Sequence, residues 1–200
     1  MRRSRFLTSL AMTLALPLAL ALPMASQAQT GGVSKVRIST TMGDIEAELY
    51  ADKAPKTVAN FLQYVNDKHY EGTIFHRVIA GFMVQGGGFD AQYKEKKTRA
   101  PVPHEGRQAL AGGLKNTTGT LAMARTNDPQ SATAQFFINV VDHAFLDPSF
   151  QSFGYTVFGK VTSGMDVVQK IRNTPTGTGG PFPTDVPRTP VVIQSITLLK

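Results

Sequence analysis

The segment FHRVIAGFMVQGG occupies residues 75–87 of the chain. It predicts a strand, a turn and a second strand, a unit in which few residues separate a charged side chain from apolar ones. In such a hairpin Arg77 can stand beside the ring of Phe82 and the thioether of Met83. A lone arginine in a strand is usually a surface charge, so its meaning depends on the rest of the chain.

Two further stretches supply that context. They read GTLAMAR over residues 119–125 and SATAQFFIN over residues 131–139. Each contains a short run that is typical of a strand, bounded by small and polar residues. Together with residues 75–87, they supply the aromatic, amide and arginine side chains of the candidate site.

Upstream, a polar–apolar alternation predicts an opening hairpin. Residues 35–40 and 44–49 alternate in this way around a turn at Met42-Gly43, as half-buried strands do. A helix should follow from Pro55, because proline suits the first turn of a helix. Its apolar face repeats at helical spacing through Val58, Phe61, Leu62 and Val65.

Downstream, a second short helix is expected after Gly164, where Val167, Val168 and Ile171 share one face. Many short strands with two helices are typical of a mainly β fold, a barrel or sandwich capped by helices. The further strands are predicted near residues 73–78, 82–85, 120–124, 136–140, 156–161 and 191–199.

The three quoted stretches closely resemble the cyclophilin family. Residues 75–87 follow that family's F-H-R-V-I-x-G-F-M-x-Q-G-G pattern, and Phe145-Leu146-Asp147 continues the match, while Ala134 replaces a serine. The resemblance extends from Lys35 to the C-terminus. It implies a closed eight-stranded antiparallel β-barrel capped by two α-helices, with a filled interior and a site on the outer face.

The resemblance also implies an activity, peptidyl-prolyl cis-trans isomerisation, and a role for each site residue. Arg77 would be the catalytic residue, and neither a metal nor a cofactor is expected. The residues implied in substrate binding are the pocket side chains Phe82, Met83, Phe137 and Leu146, the polar Gln85 beside the arginine, Ala124, Arg125 and Gln135 along the peptide, and the rim residues Phe145 and Tyr155.

Arginine suits this reaction for an elementary reason. The X–Pro amide resists rotation because its C–N bond has partial double-bond character. Twisting the bond returns a lone pair to the prolyl nitrogen, which then accepts a hydrogen bond. A permanent donor such as Arg77 would bind the twisted amide better than either planar form, and such differential binding lowers the barrier.

Three positions depart from the pattern of familiar eukaryotic cyclophilins. Phe145 stands in place of a tryptophan, Tyr155 in place of a histidine and Arg125 in place of an asparagine. These changes resemble the bacterial periplasmic branch. Because phenylalanine lacks the indole N–H donor, cyclosporin A is expected to bind weakly.

The N-terminus has the layout of a secretory signal peptide. Arg2, Arg3 and Arg5 precede an uncharged, mostly apolar run, and Ser26-Gln27-Ala28 places small residues before a cut. We expect residues 1–28 to be cleaved, 29–34 to be a short linker and 35–200 to form the isomerase domain. The predicted location is the periplasm, by either the Sec or the twin-arginine route, with no membrane attachment after cleavage.

Composition excludes several other classes. The chain has no cysteine, so disulfides and thiolate chemistry are excluded. Removing the leader leaves 18 basic and 14 acidic side chains, a charge of +4, and nucleic acid is not an expected partner. Expected partners are proline-containing unfolded or extended polypeptides, and the protein is expected to be a monomer. Two alternatives stay open: a proline-binding chaperone without turnover, and a hollow ligand-binding barrel.

Overall fold

The computed structural model describes residues 32–199, so the predicted leader and residues 29–31 of the predicted linker lie outside the described residues. Within this range no helix is long and apolar enough to cross a membrane. The strands are β1 Val33–Thr40, β2 Gly43–Tyr50, β3 Thr73–Ile74, β4 Arg77–Ile79, β5 Met83–Gly86, β6 Thr120–Met123, β7 Phe136–Asn139, β8 Val157–Ser163, β9 Thr176–Gly179, β10 Phe182–Pro187 and β11 Val192–Leu199. The helices are α1 Pro55–Asn66, α2 Gly106–Ala111, α3 Met165–Arg172 and a 3-10 helix Ala144–Leu146.

Nine strands form one antiparallel sheet in the order β3-β11-β1-β2-β8-β6-β7-β5-β4. Its two outermost strands, β3 and β4, are separated in the chain by only Phe75 and His76. Since a residue spans at most about 3.6 Å of extended chain, the two ends of the sheet must lie close together, and the sheet curls round. The expectation of a mainly β fold built on a curled antiparallel sheet is therefore confirmed.

The segment predicted as one strand over residues 73–78 is divided where the chain changes partners. β3 pairs with β11, whereas β4 pairs with β5. Counted as one bent strand, this segment brings the sheet to the expected eight. Within residues 32–199 no ladder joins β3 to β4, so the structure shows a curled sheet, and the expected closure of the barrel stays a prediction.

The interior of the curled sheet is filled by side chains. Helix α1 places Phe61 against Phe136 and Phe158, with ring centroids 5.5 and 5.2 Å apart. Of the predicted apolar face of α1, Val58, Phe61 and Val65 are buried. A core so filled leaves little room for a ligand, which disfavours the hollow-barrel alternative.

The structure adds elements that the sequence did not reveal. Residues 32–199 contain three α-helices rather than the two expected, because α2 has only six residues and shows no readable periodicity. The hairpin of β9 and β10 occupies the Pro/Gly-rich tail, where Phe182 packs on the rings of His76 and Phe89. Strand β1 begins at Val33, so it includes two residues predicted as linker.

Candidate active site

The register of the sheet builds the site as a row across five strands. Arg77 on β4 pairs with Gln85 on β5, and Gln85 pairs with Phe137 on β7. Phe137 pairs with Ala122 on β6, which pairs with Val157 on β8. Directly paired residues point to the same face of a sheet. Along one face of the sheet, the row therefore runs from an arginine through an amide to three apolar side chains.

This face is the outer one. Met83, Phe137 and Leu146 belong to a small apolar cluster that is separate from the main core. Their strand neighbours Val84 and Phe136 belong instead to the main core, as the two-residue alternation of a strand requires. The expectation that the interior is core and the site lies outside is thus confirmed for these residues.

A pocket opens on this face. Its floor is apolar, and the edge-on contact between Phe137 and Tyr155, with ring centroids 5.5 Å apart, forms one wall. Nine of the residues implicated from the sequence line the pocket together: Arg77, Phe82, Met83, Gln85, Ala124, Arg125, Phe137, Leu146 and Tyr155.

Arg77 stands at the pocket with its guanidinium largely uncommitted. Its Nη1 lies 3.5 Å from Gln85 Oε1, and its Cζ lies 6.0 Å from the centroid of the Phe82 ring. Among residues 32–199, no carboxylate lies within ion-pair distance of Arg77. Because the residue is exposed and a guanidinium has five N–H donors, several donors remain for a ligand.

Gln135 lies beside the pocket rather than in it. It lines an adjoining polar groove with Ala124 and Arg125, and its Oε1 accepts a 3.0 Å hydrogen bond from Gln85 Nε2. A Cβ at Gly88 would lie only 2.6 Å from the Gln135 side chain. The glycine therefore leaves the space that lets Gln135 reach Gln85.

Arg125 forms the opposite wall through its contacts with Gly154 and Tyr155. Its Nε and Nη2 donate to the Gly154 carbonyl at 3.0 and 2.9 Å, and its Cζ lies 4.6 Å from the Tyr155 ring centroid. Gly154 has a φ of +64°, where a Cβ would collide with the main chain of residues 146–148. Through these contacts Arg125 holds Gly154 and the ring of Tyr155 in place at the side of the pocket.

Phe145 lies at the rim and is 70% exposed. It stacks on Phe82, with ring centroids 6.0 Å apart and an interplanar angle of 20°.

His143 was not among the residues predicted for the site, yet its Nε2 lies 2.9 Å from the Phe82 carbonyl and its ring packs edge-on to Phe82. His143 positions Phe82 across 61 residues of chain, and no local pattern signals such a contact.

Comparison with known proteins identifies the family. Residues 35–198 match the family described as "Cyclophilin type peptidyl-prolyl cis-trans isomerase/CLD". The chain belongs to this family and is a cyclophilin-type peptidyl-prolyl cis-trans isomerase, which confirms the resemblance and the enzyme class. Within residues 32–199, no three His, Cys, Asp or Glu side chains are grouped to hold a metal.

Several relatives are similar over most of the chain. Peptidyl-prolyl cis-trans isomerase of Acinetobacter baylyi is 55% identical over 82% of this chain and 84% of its own. Peptidyl-prolyl cis-trans isomerase B of Escherichia coli is 53% identical over 82% of this chain and 98% of its own. A crystal structure of a Cryptosporidium parvum cyclophilin is 26% identical, with a TM-score of 0.65, covering 84% of this chain and 99% of its own.

Proposed function

We propose that this enzyme isomerises X–Pro bonds in extended segments of exported proteins in the periplasm and so assists their folding, acting as a monomer. The observation that carries the proposal is the uncommitted guanidinium of Arg77 beside a pocket with an apolar floor. A proline ring has no charge and no donor, so an apolar pocket suits it.

The proposed reaction uses only side chains of this chain. The proline ring enters the pocket over Met83 and Phe137, and Arg77 donates to the prolyl nitrogen as the amide twists. A charge-assisted hydrogen bond contributes about 1.5–3 kcal/mol, which corresponds to roughly a 10- to 150-fold gain in rate. Orientation of the peptide by the pocket supplies the rest, and no bond is made or broken.

The rest of the peptide lies extended in this proposal. Gln85 would contact the carbonyl beside the proline, and the chain would continue along the groove shared by Ala124, Arg125 and Gln135. The Cryptosporidium cyclophilin was also solved in the presence of the dipeptide Ala-Pro, with a TM-score of 0.63 and 27% identity to this chain. That likeness supports an X–Pro segment as the ligand.

The compartment is proposed from the leader. A cut after Ala28 would release a mature chain beginning at Gln29. N-terminal sequencing of the protein purified from the periplasmic fraction tests this, and we expect a start at or near Gln29. A chain that retains Met1 and sediments with membranes would contradict it.

The activity is tested on a short proline peptide in a protease-coupled assay. We expect Arg77→Ala to lower kcat/KM at least about 100-fold, roughly 3 kcal/mol. Arg77→Lys should also be poor, because a flexible point charge does not reproduce the planar fork. Arg37→Ala is the matched control, since Arg37 is an exposed arginine of β1, a strand that contributes no residue to the pocket. Near-normal turnover by Arg77→Ala would contradict the proposed mechanism.

A further inference from the structure

The segment of residues 147–154, here called the aromatic loop, begins and ends at the pocket. It leaves the pocket residue Leu146 and returns at the pocket residue Tyr155. The Tyr155 N–H donates to the Leu146 carbonyl at 2.9 Å, so the two ends are joined. The position of the aromatic loop is therefore fixed relative to the pocket.

The aromatic loop presents large apolar side chains to solvent. Phe150 is fully exposed and Phe153 is 52% exposed. Among residues 32–199, three of the five exposed large apolar side chains fall within residues 145–153, because Phe145 lies two residues before the loop. Exposed apolar surface that gathers in one place is typical of an interaction site, whereas single exposed side chains are ordinary.

Hydrogen bonds fix the conformation of the aromatic loop in which these side chains are exposed. The Ser149 N–H donates to the Ser152 carbonyl at 2.8 Å, and Ser152 Oγ accepts from the Gly154 N–H at 3.1 Å. From α2, Arg107 Nη2 donates to the Ser149 carbonyl at 2.9 Å. The loop is thus held by hydrogen bonds in a form that turns Phe150 outward, although burial would have been favourable.

We propose that the aromatic loop is a second binding site for the client, which takes an apolar side chain of the same unfolded segment whose X–Pro bond lies in the pocket. Phe153 is two residues from Tyr155 and Phe150 is four from Leu146, so their Cα atoms lie within about 7 and 14 Å of these pocket residues. An extended client covers such distances in two to four residues. The inference rests on the proposed function of the pocket.

A client is favoured over other occupants because the loop is continuous with the pocket at both ends. One segment can therefore contact both at once, and the second contact becomes intramolecular after the first. A tetrapeptide with its X–Pro bond in the pocket reaches at most the near end of the loop, whereas an unfolded protein can contact Phe150 and Phe153 together. The site consequently distinguishes protein substrates from short peptides.

The test compares the double variant Phe150→Ser/Phe153→Ser with the wild type on two substrates. One is a proline tetrapeptide, and the other is an unfolded protein whose slow refolding phase is limited by one X–Pro bond with apolar neighbours. Turnover of the tetrapeptide should stay within about twofold. With the protein, kcat/KM should fall about five- to twentyfold, as expected when two partly buried phenylalanines leave a contact.

Two further variants control for indirect effects. Val33→Ser/Leu198→Ser removes two exposed apolar side chains from β1 and β11, away from the pocket, and should change neither activity. Phe150→Ser alone removes a side chain that packs on nothing. It should lower turnover of the protein about threefold while the tetrapeptide is unaffected.

The outcomes separate the two proposals. A wild-type protein inactive on the tetrapeptide overturns the proposed function. Full activity of the double variant on both substrates overturns the second site and leaves the proposed function intact. A wild type that sediments as a dimer, or that binds phospholipid vesicles, while the double variant does neither, assigns the loop to self-association or to a membrane surface and also overturns the inference.

Discussion

Replacing Glu105 with alanine should destabilise the fold by about 3 kcal/mol while the folded fraction keeps its proline turnover. Glu105 caps α1 from 48 residues away. Its Oε1 accepts from the Lys56 N–H at 3.0 Å, and its Oε2 accepts from the Thr57 N–H at 2.8 Å and from Thr57 Oγ1 at 2.7 Å. The residue that precedes the helix, Ala54, has no side chain that could do this.

The magnitude follows from counting the donors of the first turn of α1. Pro55 has no N–H, and the Val58 N–H bonds to the Ala54 carbonyl, so Glu105 satisfies the two remaining main-chain donors. Without the carboxylate, water can reach the partly buried Lys56 N–H. The buried Thr57 donors lose their partner at about 1–3 kcal/mol, to which the lost charge-assisted bonds add.

Urea unfolding measures the effect. With an m value of about 2 kcal/mol/M, the midpoint should fall by roughly 1.5 M and m should not change. Glu46→Ala is the matched control, because Glu46 holds a surface ion pair with Arg37, and its midpoint should move far less. Equal, small shifts for both variants would refute the capping role of Glu105.

Two further predictions concern pH and the drug site. Burial lowers the pKa of His76 from 6.5 to about 4. As the pH falls from 6.5 to 4, the imidazole is therefore protonated in the unfolded chain but not in the folded one, and the free energy of unfolding decreases. In His76→Phe, the pH dependence of the free energy of unfolding between pH 7 and 4.5 should be smaller by about one proton, as measured by urea unfolding at a series of pH values. Parallel curves for the variant and the wild type would contradict this. We expect cyclosporin A to inhibit the enzyme weakly and Phe145→Trp to tighten that inhibition about fivefold, a modest gain for so exposed a rim; equal inhibition of the two proteins would place Phe145 outside the drug site.

The parts of the site that the sequence predicts are those that local pattern places together. Arg77, Phe82, Met83 and Gln85 fall within nine residues, and a hairpin brings such residues together whatever the rest of the chain does. The alternation of strand residues also separates pocket from core, as at Phe136 and Phe137. The family resemblance then adds the distant residues of the same pocket.

The parts that the sequence does not predict depend on contacts between distant segments. The hydrogen bonds from Arg125 to Gly154 and from the first turn of α1 to Glu105 join a side chain to main-chain groups. Every residue type offers such main-chain groups, so the sequence does not show which of them are bonded. The hairpin of β9 and β10 lacks apolar alternation, and it is anchored by the ring of Phe182 and by the buried Val186. These features have no hydrophobic periodicity from which they could be predicted.

The central claim is that Arg77 acts on the twisted amide and not on the binding of the planar one. NMR exchange on a proline peptide at saturating enzyme measures interconversion on the protein separately from affinity. For Arg77→Ala we expect interconversion at least about 100-fold slower than in the wild type, with Kd within about threefold. The opposite pattern, lost affinity with undiminished interconversion of the bound peptide, would contradict the claim.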